Sequence, residues 1–205
     1  MNRPLPGQRP ANPFGSRFTR PGALPFLPPA PADQSLEQMA QQILHNGRTA
    51  IFGPHGSGKT TLLHALCRTE CFRQQAISPE QIIVLRQGEP SVHLWHELTN
   101  CPQRPLLILD GYEQLTWWQR PRLRLWCRRH KVPLLVTSHR PLSGFSSLKH
   151  TPPPLSVARQ LAESLLKDQP HLIGSLLADF DTLWHTCGGN MRDLWSTLYD
   201  RYELN

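Results

Sequence analysis

Apolar and polar positions follow two rhythms along this chain, and the change between them divides it. Leu36, Met39, Ala40, Ile43 and Leu44 recur at helical spacing, with a capping box at Ser35–Gln38 before them and Asn46–Gly47 as a stop after them. Short apolar runs then alternate with helical patterns. Residues 49–52, Ile82–Arg86, Leu106–Leu109 and Leu134–Thr137 read as strands, with a short fifth near Ser146–His150. Thr61–Leu66, Val92–Leu98 and Leu115–His130 read as helices between them, and Pro121 must sit in a first turn or distort its helix. Near-continuous apolar strands alternating with helices indicate a parallel sheet covered on both faces. Beyond Pro152–Pro153–Pro154 only helical patterns remain, at Leu155–Leu166, Leu172–Thr186 and Met191–Tyr202. The prediction is an α/β fold: a three-layer parallel-sheet core over 34–151 and a small all-helical subdomain over 152–205. Residues 1–33 hold much of the proline and one acid, Asp33, too little apolar surface for a domain. Phe14, Phe18 and Phe26 lie among arginines there, so this segment is expected to dock partly on the body.

The first strand runs into a loop, Gly53–Pro54–His55–Gly56–Ser57–Gly58–Lys59–Thr60–Thr61. Its glycines let the backbone take φ > 0 and approach a ligand closely. Successive N–H groups in such a turn form a nest for an anion, and a helix starting at Lys59 points its unpaired N–H groups at the same place. Lys59 adds a point charge, and the Thr60 hydroxyl suits Mg²⁺. From Gly53 the spacing is G-x-x-x-x-G-K-[ST], the Walker A pattern, in its required setting of strand, loop and helix. The implied ligands are ATP and Mg²⁺. His55 fills a variable position of this pattern.

The strand before Asp110 delivers a carboxylate to the same sheet edge, where it can hold the metal's hydration shell as a Walker B aspartate does. Glu113, three residues on, is the candidate for orienting or deprotonating water; a helix-start charge is the plainer role. "TSHRP" ends the next strand with Thr137, Ser138, His139 and Arg140. Thr137 or Ser138 suits the γ-phosphate or the attacking water, and Arg140 suits developing charge.

These elements in this order resemble the additional-strand P-loop NTPases, particularly the AAA+ and STAND branches. "GGNMRDLWSTLYD" (188–200) resembles the sensor-2 segment of AAA+ lids, which implies that Arg192 reaches the γ-phosphate and that the helical subdomain is a lid. The acid spacing after Asp110 departs from AAA+ and is closer to the D-G-x-D-E pattern of STAND proteins. The whole chain is also similar to small bacterial P-loop ATP-binding proteins carrying NPF-x-x-R-x-x-RPG, GPHGSGK, LDGYEQL and TSHRP in series. By analogy with AAA+ N-terminal segments, Asn12, Pro13, Phe14 and Arg17 would form the adenine pocket; docking on the core is the rival role.

Composition narrows the remainder. No apolar run approaches the ~20 residues of a membrane span, and no apolar signal region opens the chain. Five cysteines without C-x-x-C spacing fit reduced thiols, hence a cytoplasmic protein. Cys67 and Cys71, at i and i+4, would share a helix face, and His93 and His96 lack a third metal ligand. The net charge is +7, with no acid between Gln114 and Ala162. This basic middle, residues 120–131 above all, suits nucleic acid; a solvated helix face is the plainer alternative. A protein partner or a homo-oligomer also fits a switch. The expected function is a Mg²⁺-dependent ATPase used as a nucleotide-controlled switch. The alternatives are a small-molecule kinase on the same fold and an ATP-gated binding module with little turnover.

Overall fold

The computed structural model describes residues 11–28, 35–89 and 91–204. The expectation for the N-terminal segment therefore falls outside the described residues over 1–10 and 29–33. In chain order the elements begin with α1 (Ser16–Thr19), α2 (Leu36–His45), β1 (Arg48–Phe52), α3 (Lys59–Leu66) and α4 (Glu70–Gln74). Next come β2 (Ile82–Val84), α5 (Val92–Asn100), β3 (Leu107–Asp110), α6 (Gln119–His130), β4 (Leu134–Ser138) and β5 (Ser146–Lys149). The chain ends with α7 (Leu155–Leu165), α8 (Ile173–Leu176), α9 (Phe180–Thr186) and α10 (Met191–Glu203).

Among the described residues five strands form one parallel sheet in the order β2-β3-β4-β1-β5. Successive side chains of a strand face opposite sides, and the sequence supplies apolar residues for both. Leu107, Leu109, Leu134 and Val136 pack with Leu94 and Leu98 of α5 and with Leu123 and Cys127 of α6. Ile51, Ile108 and Leu135 pack on the other face with Ala40 and Ile43 of α2 and with Leu62, Leu63 and Leu66 of α3. Helices thus cover both faces of the sheet. A separate cluster unites α7, α8, α9 and α10 through Ala158, Leu176, Phe180, Leu194 and Leu198.

The N-terminal segment bridges the two. Phe14 is only 2% exposed and stacks on Trp195 inside the helical cluster, with ring centroids 6.1 Å apart. Leu24 and Leu27 pack on the same cluster, whereas Phe26 packs on the α2/α3 side of the sheet.

Several expected elements are corrected. The helix foreseen over Leu172–Thr186 is broken into α8 and α9, because Asp179 stands at the head of α9 with its carboxylate held by both Arg201 Nη atoms. A short polar side chain that has another partner favours a helix start over a helix interior. The helix foreseen from Leu115 starts at Gln119, leaving Tyr112–Gln114 as a 3₁₀ turn and Pro121 in the first turn. The strand foreseen to Arg86 ends at Val84. Cys67 and Cys71 share no helix face: Cys67 ends α3, and Thr69 caps the separate α4. Burial pushes the Cys67 thiol up to about 12, which makes it a small hydrophobe. No described helix is long and apolar enough to cross a membrane.

Candidate functional site

The loop after β1 lies at the C-terminal edge of the sheet because all five strands point the same way. The Gly53 N–H donates to Ser138 O at 3.2 Å, fastening the loop to the end of β4. Gly56 and Gly58 have φ of 67° and 93°, values L side chains rarely adopt. Close approach also demands glycine here. A Cβ at Gly53 would stand 2.1 Å from His150 O, and one at Gly56 would stand 1.5 Å from Asn190 Oδ1.

Lys59 opens α3 and is buried. Its ammonium donates to Gly53 O and Pro54 O, each at 2.8 Å, and lies 3.5 Å from His139 Nδ1. Burial lowers its pKa; Arg192 adds to that effect, while Glu113 and Asp110 oppose it. These couplings place three of the expected charged residues around one amine.

Thr60 and Asp110 meet directly. The Thr60 hydroxyl donates to Asp110 Oδ2 at 2.6 Å, and the Thr137 hydroxyl donates to Oδ1 at 2.5 Å. Thr137 in turn accepts from the Gly111 N–H at 2.8 Å, so the loop beginning after β3 is held to β4. Hard oxygen atoms converging from two strands and a helix are the donor chemistry that Mg²⁺ takes. Ser57 Oγ and Glu113 Oε2 are buried without a hydrogen-bond partner, an uncommon condition in a folded interior. Both belong to this site.

Glu113 lies on the 3₁₀ turn after Asp110, with its Oε1 2.8 Å from His139 Nε2. Ser138 donates to Arg140 O at 2.7 Å, bending the chain away from β4. Glu113, Arg120, Ser138, His139, Arg140 and Leu142 line a cleft of about 280 Å³. Arg192, exposed in the first turn of α10, approaches through the helix start: Met191 N–H donates to Gly56 O at 3.2 Å, and Asn190 caps Arg192 N.

Residues 53–61, Asp110, Glu113, Thr137, Ser138, Arg140 and Arg192 thus gather at one sheet edge. The N-terminal candidates are engaged elsewhere. Phe14 is inside the helical cluster, and Asn12 Nδ2 donates to Tyr199 O and Glu203 Oε1. Asn12 and Arg17 line a shallow depression with Tyr199, and Pro13 sits between Asn12 and the buried Phe14.

Sequence reasoning gave His139 no separate role, yet its ring joins Glu113, Lys59 and His55, lying tilted against the His55 ring at a centroid distance of 3.7 Å. It also passed over Asn190, which seats the helical cluster on Gly56, and His150, whose half-buried ring backs the loop near Gly58. Only their proximity in the fold marks them; no spacing pattern would have. No protein-family model matches this chain, and no curated protein matches it.

Proposed function

We propose that the chain binds ATP with Mg²⁺ at the Gly53–Thr61 loop and hydrolyses it slowly, acting as a nucleotide-controlled switch of the additional-strand P-loop class. The meeting of Thr60 with Asp110, beside the buried ammonium of Lys59, carries this reading. The insertion of β4 between β1 and β3 supports it, since this strand brings Thr137 to Asp110. The two orphaned polar atoms, Ser57 Oγ and Glu113 Oε2, fit a site built for a polar ligand.

Lys59 exchanges the Gly53 and Pro54 carbonyls for the β- and γ-phosphates, while the loop amides bind the same anion. Thr60 and Asp110 hold Mg²⁺, which supplies neutralisation of phosphate charge. Glu113 and Thr137 orient the attacking water, and Glu113 can accept its proton once turned from His139. Ser138 and Arg140 line the cleft where charge develops on the transferred group. Arg192 carries the state of the site to α10, and through Asn190 and Met191 to the helical cluster, which acts as the lid. A reduced, cytoplasmic protein is the setting this activity implies.

Phosphate release by purified protein tests the reading. ATP with Mg²⁺ at about 100 times its Kd stabilises the fold by about 2.7 kcal/mol, and Lys59→Ala removes that shift. Glu113→Gln keeps the shift and slows phosphate release by about 10²-fold or more. An undiminished shift in Lys59→Ala rejects the site. Transfer to an acceptor without free phosphate would make the chain a kinase.

A further inference from the structure

The surface of α6 goes beyond this reading. Trp118 caps the helix in helical geometry, and Trp118, Arg122, Leu125 and Arg129 follow at i, i+4, i+7 and i+11. At 100° per residue these four fall within about 60° of one another on one face. The opposite face, Leu123 and Cys127, is buried against the sheet. Trp117 is 83% exposed, Trp118 47% and Leu125 55%. Large apolar groups presented together in this way are unusual in a surface whose interior face is already satisfied.

The charge around them has one sign. Arg122, Arg128, Arg129 and Lys131 are all exposed, and none of them makes an ion pair with a described residue. The sequence holds no carboxylate between Glu113 and Glu163 to compensate them. Arg122 lies over the Trp95 ring, 4.4 Å from its centroid, which fixes its position beside the stripe. The two remaining arginines serve the fold: Arg120 donates to Glu113 O and Leu115 O, and Arg124 is half-buried.

We propose that this face binds single-stranded nucleic acid, with Trp117 and Trp118 stacking on bases and Arg122, Arg128, Arg129 and Lys131 neutralising phosphates. Flat indoles beside unpaired guanidinium groups match a polyanion that carries exposed aromatic faces. A duplex hides those faces, an acidic peptide lacks them, and three apolar side chains are too few to seat the helix in a lipid surface. The 12-residue helix is about 18 Å long, enough for a few nucleotides.

The test titrates the full chain, without ATP, into a fluorescein-labelled oligo-dT of about 20 nucleotides and follows anisotropy and indole quenching. Four neutralised phosphates give a slope near −3 in log K against log salt, so affinity falls about fifty-fold between 50 and 200 mM salt. Trp117→Ala/Trp118→Ala weakens binding by about fivefold or more. Arg122→Glu/Arg129→Glu abolishes it. These side chains are exposed or half-exposed, so both variants keep the wild-type melting temperature. Arg73→Glu/Lys167→Glu, with the same change in net charge on exposed positions elsewhere, leaves binding largely intact.

Four results would overturn the proposal. They are no binding at 50 mM salt, equal weakening by the Arg73/Lys167 pair, a duplex bound as tightly with the indoles dispensable, and equally tight binding of polyglutamate.

Discussion

The hydroxyl of Thr60 donates to Asp110 Oδ2 at 2.6 Å, across fifty positions of sequence and from a helix start to a strand end. Thr60 lies in the first turn of α3, and Asp110 ends a strand whose preceding residues are fully buried, its other carboxylate oxygen accepting from Thr137. On the proposed reading, this pair would hold the divalent cation. Asp110→Ala is expected to weaken ATP binding in Mg²⁺ by about ten- to hundredfold, with little effect when Mg²⁺ is chelated. Calorimetric titrations in the two buffers check this. An equal loss in both would move Asp110 from metal binding to general support of the loop.

Phe14 docks the N-terminal segment into the helical cluster. Its ring is buried against Trp195, while the neighbouring Asn12 side chain bonds to the last turns of α10. Phe14→Ala removes a buried aromatic ring and leaves a cavity, so the expected loss is about 3–5 kcal/mol. Urea denaturation measures the loss, and near-ultraviolet circular dichroism shows Trp195 losing its fixed surroundings. A change below about 1 kcal/mol would mean that the helices pack without this segment.

The alternation of apolar strands and helices was readable because a strand covered on both faces needs apolar residues at every position, as in Leu107–Leu109 and Leu134–Val136. The loop was readable for a different reason: positive φ and close approach leave few substitutes for Gly53, Gly56 and Gly58. Partnerships between distant residues were less visible. Nothing in "TSHRP" tells which of its polar groups will reach Glu113, and the fold gives that place to His139. The break at Leu177–Asp179 depends on Arg201, two helices away, so local periodicity passed straight through it. For Phe14 an adenine pocket and docking were both open from the sequence, and its place on Trp195 required the packing of α10.

Three histidines, His55, His64 and His150, have lowered pKa values in the fold, and the two more buried, His64 and His150, are expected to contribute most to a pH dependence of stability. Burial lowers the pKa of His64 below the ordinary imidazole value, with the Arg68 charge adding to it. Burial does the same to His150, against a contribution from the Ser57 backbone and with the charge of Lys59. The folded chain therefore resists protonation at both sites, whereas the unfolded chain accepts protons as pH falls through about 6.5. Below that value the unfolded state holds more protons, so stability declines with falling pH and is fully present only above it. Between pH 7.5 and 5.5 few carboxylates titrate, which leaves the histidines as the main source of slope. Melting temperatures across that window are expected to fall steadily for the native chain and to flatten for His64→Gln/His150→Gln. His150 Nε2 has no hydrogen-bond partner, so its replacement breaks no bond at that atom. An unaltered slope in the double variant would assign the pH dependence to other groups.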